Sequence, residues 1–278
     1  MFRLRLATYR TLTTLGLMVL LLEACSLPWS DGSASRADGG DPPYPEPTED
    51  YVYAPFFDDF NDSSVDTSVW QIGRWREHGG QMSAERCYVE DGLLNLVFVN
   101  DSGDGYLSSA IQTRDEYYFG TWEARLKPSG VPGVLNSFFT IDWDDTTQSG
   151  SGDGTKQEID IEFLTNSFGE GAGQVHYALH EDGHRSLQTN PDIDLGFDPS
   201  ADFHVYGFEI TPEYIEWFVD DEVLLRYEYD DPEYDIEITA PYQLKLNHWS
   251  STGWVGGPPE EDEESVYQID WIRFTPYE

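Results

Sequence analysis

Basic residues are scarce in this chain. Lys and Arg total 15 against 53 Asp and Glu, a formal charge of −38. Such a balance repels phosphate backbones and offers no electropositive groove, so nucleic acid is excluded as a partner. Cysteine is scarce too: Cys25 and Cys87 stand alone, too few for a disulfide scaffold or a zinc-spaced Cys/His cluster. There is no phosphate loop and no internal repeat, and no segment carries a clean helical stripe of about twelve residues. No organic cofactor is implied. Long apolar runs are absent apart from Leu12 to Leu22, which is short for a membrane span. Aromatic residues, by contrast, make up 15% of the chain. A disordered acidic chain would be poor in them, so the composition points to a packed fold with stacking surfaces.

The N-terminus reads as an export signal. Arg3, Arg5 and Arg10 form a basic head, the Leu12 to Leu22 run follows, and "LLEAC" closes it at Cys25. A cysteine after small Ala24 resembles a lipoprotein cleavage box, which would make residues 1–24 the signal and Cys25 a lipidated first residue touching the membrane. Glu23 is unusual in such a box; plain secretion and a short buried helix are the alternatives. Residues 25–53 are rich in Ser, Gly, Pro and acids without apolar period and read as a flexible linker. With Cys25 acylated, Cys87 has no partner and is expected in the core or the cleft. Removing residues 1–24 takes three arginines and Glu23 off the formal −38, leaving −40. That charge suits a salty exterior, where screening relieves self-repulsion; loss of the fold on dilution into low salt is the corresponding test, and full structure there would count against it.

From residue 54 to 278 the pattern is one of short segments alternating with period two, separated by Gly, Asp, Asn, Ser and Pro. "GLLNLVFV" (92–99), "GTWEARLKP" (120–128), "VLNSFFTID" (134–142), "QVHYALH" (174–180), "YQLKLNHW" (242–249) and "YQIDWIRFTP" (267–276) are typical. "WFVDDEVLL" reads as two strands joined through Asp220 and Asp221. So many strands at close spacing predict an all-β, two-sheet antiparallel β-sandwich as a single domain, 54–278, and a monomer.

Within it, "QEIDIEF" places Glu158, Asp160 and Glu162 at alternate positions. On a strand they share one face while Ile159, Ile161 and Phe163 take the other. The outer Cα atoms are then about 13 Å apart, and two long glutamates can lean until their carboxyls are about 5 to 6 Å apart, the gap used by retaining glycoside hydrolysis. Asp160 between them makes it costly for all three to ionise, so one proton is held in the cluster. Two blander explanations stand beside this one. Alternating acids are common on the wet face of a sheet in so acidic a chain, and a helix would also juxtapose Glu158 and Glu162, although the isoleucines disfavour it. Trp70, Trp75, Trp143, Trp249 and Trp254 exceed what a sandwich core needs. Each is either core or a platform for the apolar face of a sugar ring.

"EIDIEF" resembles the active-site strand of glycoside hydrolase family 16. "FFDDFN" (56–61), "DGLLNL" (91–96), "YYFGTWEARLKP" (117–128), "NSFFT" (136–140), the stretch 195–222, "LKLNHW" (244–249) and "YQIDWIRF" (267–274) are similar to the bacterial lichenase layout, in order. The resemblance implies a concanavalin-like jelly-roll that hydrolyses internal β-linkages with retention. It implies Glu158 as nucleophile, Asp160 as its assisting carboxylate and Glu162 as acid/base. It places Asn247 and Trp249 against donor sugars, Phe139 beside them and His180 at a cleft position. It also implies a structural Ca²⁺ held by Asp270 with backbone carbonyls near Asp59 and Gly92, away from the cleft. The strand lacks the extra residue that marks the laminarinase and agarase branch.

There are departures. Where lichenases carry a sugar-binding Glu and Arg, this chain has Ala110 and Gln112; Lys156 stands for a tryptophan before the nucleophile and Ala178 for an amide. The loops 142–154 and 251–264 flank the cleft by this alignment, and their acids disfavour sulfated or uronate glycans. The expectation is therefore a neutral polysaccharide, mixed-linkage β-1,3-1,4-glucan first, with β-1,3-glucan, xyloglucan or a galactan behind it. Transglycosylation is a further enzyme alternative, and a carbohydrate-binding lectin on the same jelly-roll the non-enzyme one. Gln112, Trp75 and Trp254 join the expected substrate contacts.

Overall fold

The computed structural model describes residues 54–142, 157–169, 171–181, 185–186, 192–230, 238, 241–251 and 253–277. The export signal, Cys25, the linker, Trp143, Lys156 and the loop 143–154 lie outside them. Eighteen strands and one 3-10 turn are found among the described residues, with no α-helix. In chain order the strands are β1 (Phe56–Asp58), β2 (Trp70–Ile72), β3 (Arg76–Glu77), β4 (Gly80–Met82), β5 (Cys87–Glu90), β6 (Leu93–Asp101), β7 (Gly105–Thr113), β8 (Gly120–Lys127) and β9 (Leu135–Ile141). There follow β10 (Glu158–Gly169), β11 (Ala172–Glu181), β12 (Arg185–Ser186), β13 (Asp192–Asp194), β14 (His204–Ile210), β15 (Tyr214–Val219), β16 (Glu222–Glu228), β17 (Gln243–Trp249) and β18 (Glu264–Pro276).

Among the described residues the named strands pair antiparallel except for β4 with β7. One layer runs β2, β7, β17, β9, β10, β11, with β12 and β13 at its edge. The other runs β16, β15, β14, β8, β18, with β6 and β1 beyond β18 and β5 beyond β6. β7 also pairs with β6, joining the layers. This is the two-sheet sandwich expected from the alternating pattern, curled into a jelly-roll.

The core lies between the layers. Ile159, Ile161 and Phe163 of β10 are fully buried there. Phe163 meets Tyr206 edge-on at 4.8 Å, Phe138 meets Phe208 at 5.3 Å and Tyr177 meets Trp217 at 5.9 Å. The Trp217 indole N–H donates to the Asp160 backbone carbonyl at 3.0 Å, fastening the opposite layer to the middle of β10. Trp70 belongs to this core and not to a sugar platform: it is fully buried, packs on Phe56 and Phe60, and donates to Asp58. Cys87 is also buried, and burial pushes its thiol well above the ordinary range, which makes it inert as a nucleophile.

Two turns show why local sequence takes its conformation. Asp220 and Asp221, at φ 48° and 66°, connect β15 to β16 as the two-aspartate reading expected. His78 and Gly79, at φ 50° and 77°, connect β3 to β4. Two consecutive positive φ values are what a tight two-residue hairpin needs, because only that twist matches the flanking strands.

Candidate active site

β10 is paired without interruption from Glu158 to Leu164 on both sides, with β9 and with β11. Its irregularity comes later, between Leu164 and Gly169. The unbulged strand expected from the sequence is therefore present, and the alternation puts all three carboxylates on the face away from the core. Glu158 and Glu162 are half-buried and Asp160 is only 4% exposed.

The register assembles the site in rows running across the strands. One row is Gln243, Ile141, Glu158 and His180; the next is Gln71, Gln112, Lys245, Phe139, Asp160 and Ala178. A third is Ala110, Asn247, Ser137, Glu162 and His176. Phe139, His180, Asn247 and Gln112, expected from sequence, thus join the carboxylates on one face. His180 projects toward the centre: its Nε2 lies 3.3 Å from an Asp160 carboxylate oxygen. Single donor atoms of Glu158, Asp160 and His180 all fall within 4.8 Å of one another. Ser137 donates its hydroxyl to the Asn247 side-chain oxygen, which fixes the amide's orientation within the row. Gln112 donates to the Gln243 side chain at 3.4 Å.

Three residues that sequence reasoning passed over complete the floor. Lys245, only 3% exposed, sits beside Phe139 with its ammonium 3.1 Å from Glu77 and 5.0 Å from the centre of the Trp75 ring. Trp75 donates its indole N–H to Glu77 at 2.9 Å. Burial pushes the Glu77 carboxyl up, but the bond from His78, the Lys245 and His78 charges and the Trp75 N–H together outweigh it and hold it well below the carboxylate range. His78 in turn stacks flat on Trp249, centroids 3.7 Å apart and planes within 10°. The signal available for Lys245 was a lone cation inside "LKLNHW", alternating with Asn247 and Trp249 on the polar face. Trp254, 40% exposed, stands on the other flank with His176 edge-on at 5.4 Å.

The residues expected to hold calcium lie along the edge formed by β1, β18 and the turn before β6. Asp58 is level with Ile272, and a side chain at Gly92 would touch Asn61. Asp270 is the extra residue where β18 changes register against β8, between Ile269 and Trp271. Its carboxylate is taken by Arg125 at 2.5 Å. The oxygen donors suit a hard cation, but the guanidinium occupies the only side-chain carboxylate expected among the ligands.

A two-layer sandwich with a strand of alternating carboxylates, backed by amides and indoles along rows perpendicular to the strands, defines a protein built for acid–base and nucleophilic chemistry on an extended polar chain. Residues 82–273 match the family described as Glycosyl hydrolases family 16. The chain belongs to that family and is a glycoside hydrolase. It is 31% identical over 235 residues to a beta-glucanase of Brevibacillus brevis, covering 80% of this chain and 82% of that protein. Among solved structures it resembles a prokaryotic beta-1,3-1,4-glucanase (lichenase) from a mouse hindgut metagenome, with TM-score 0.65, 28% identity and coverage of 81% of this chain and all of the other. The laminarinase catalytic domain of Thermotoga maritima MSB8, at TM-score 0.66 and 22% identity, covers 80% of this chain and 97% of its own and shares the fold.

Proposed function

We propose that the protein cleaves internal bonds of a neutral β-glucan with retention, mixed-linkage β-1,3-1,4-glucan foremost. The observation that carries this is β10 itself: three carboxylates on one unbulged strand, central to a face lined by Phe139, Asn247 and His180. The beta-glucanase relative and the lichenase neighbour support the substrate.

In the first step the Glu158 carboxylate attacks the anomeric carbon while protonated Glu162 gives its proton to the departing glycosidic oxygen. The C–O bond breaks and a glycosyl ester forms on Glu158. In the second, Glu162, now a carboxylate, takes a proton from water as the water oxygen attacks the same carbon, and Glu158 leaves. Asp160 lies between Glu158 and Glu162 on the same strand face, the carboxylate next to the attacking one. His180 bears on Asp160 from the adjacent strand β11 and orients it. Trp254 offers an exposed indole to a sugar face.

Reducing-sugar release from barley β-glucan, curdlan, xyloglucan and agarose ranks the substrates. Release from mixed-linkage glucan should dominate. Strong release from another polymer with none from this one would move the substrate, and products longer than the donor would make the protein a transglycosylase. If no polymer is cleaved while binding persists, the lectin reading wins.

Export with a lipid on Cys25 belongs to the same proposal, as does a structural Ca²⁺ at Asp270, Asp59 and Gly92. The ion would have to draw Asp270 from Arg125. A higher melting temperature in calcium than in chelator supports it; identical melts remove it.

A further inference from the structure

The hairpin Trp75 to Gln81 lies across the floor of the cleft at β17. At one end Glu77 and Trp75 hold Lys245, in the row of Asp160. At its tip His78 stacks flat on Trp249, one row beyond that of Glu162 on the same strand face. The Trp249 side chain also packs against the apolar cluster of Leu135, Leu164 and Val255. Trp249 therefore meets an imidazole where a sugar ring would stack. The arrangement is firmly built. The Gln81 amide donates to the carbonyls of Arg74, Trp75 and Met82, and β4 pairs with β7. His78 sits at positive φ, as its place in the two-residue turn requires.

We propose that His78 takes the place of a sugar ring on Trp249 and ends the glucan-binding floor at β17. This rests on the glucanase reading above. β17 is two strands from β10, about 10 Å at the usual interstrand spacing, which leaves room for about two sugar units between the scissile bond and the hairpin. A longer glucan passes over the hairpin without gaining contact there. The imidazole thus sets how many sugars are gripped on this side.

The test measures affinity for mixed-linkage gluco-oligosaccharides of increasing length in a Glu158→Gln background, by calorimetry. With His78 present, affinity should stop rising once the floor is filled, and Trp249→Ala should leave the affinity of the longest oligosaccharide unchanged. His78→Gly, which suits the positive φ, should add about fivefold at the next sugar unit through stacking on the uncovered indole, and Trp249→Ala should then abolish the gain. His78→Phe, a ring without nitrogens, should reproduce the parent profile and shows that the hairpin still folds. A parent whose affinity depends on Trp249, or a His78→Gly variant with an unchanged profile, overturns the proposal. If no oligosaccharide binds, the wall and the glucan reading fall together. If the length profile is as expected but the protein with Glu158 intact cleaves no glucan, the wall stands and the hydrolase reading falls.

Discussion

The two flanks of the catalytic strand are built differently. Toward β17 the polar groups are matched to each other: Lys245 with Glu77, Glu77 with Trp75 and His78, Ser137 with Asn247, His78 with Trp249. Toward β11, among the described residues, His180 lies on Asp160 and His176 on Asp192, while Trp254 stands exposed beside His176. A preorganised flank loses little freedom when a sugar binds and enforces one geometry; an open one accepts varied chains but contributes less to positioning. Precision near β17, and tolerance at Trp254 on the other side, are the consequence.

Changes on β10 itself, which both flanks serve, should have the largest effects. Glu162→Ala should lower kcat by about 10²- to 10⁴-fold, and Glu158→Ala by more, with the fold intact by circular dichroism. A variant that keeps most of its kcat would take the chemistry off this strand.

Next comes the β17 flank. Lys245→Met leaves the largely buried Glu77 without its nearest cation and should cost about 1 to 3 kcal/mol in denaturant unfolding. Adding Glu77→Gln should restore most of that. If the single variant is as stable as the parent, the pair is not what seats the hairpin.

Beneath the same flank His248 is fully buried, its Nδ1 on the Leu96 carbonyl and its Nε2 on Ser265. Burial lowers its pKa to about 4 against the bond to Leu96, from 6.5. The unfolded chain binds the proton first as pH falls, so this contribution is full above about 6.5, shrinks as pH drops to about 4, and is worth up to about 3 kcal/mol. Unfolding curves between those limits, compared with His248→Gln, should show the steeper acid loss in the parent; parallel curves would refute the neutral imidazole.

The smallest effect belongs to the open flank. Trp254→Ala should raise KM about threefold to tenfold, with little change in kcat, the size of one stacked ring. A large fall in kcat would mean that this side positions the sugar as tightly as the other.

Much of the central strand was readable in advance because period-two alternation assigns faces without knowledge of neighbours. Glu158, Asp160 and Glu162 needed only that rule, and the family resemblance supplied Phe139, Asn247 and His180. Trp70 was not separable from the cleft tryptophans, since nothing local says which way a short edge strand turns its indole. The Lys245–Glu77 pair joins residues far apart in the chain, and its existence depends on β17 lying beside β7 and β9, which no local pattern reveals. The His78–Gly79 turn was hidden for a different reason: β3 has two residues, too few to show alternation.

The most direct test is to trap the protein with a slowly deglycosylating fluorinated glucoside and locate the adduct by peptide mass mapping. The ester should sit on Glu158, and the first product of normal turnover should have the β configuration. An adduct on Glu162, or an inverted product without any adduct, would contradict the retaining mechanism and the roles given to the two glutamates.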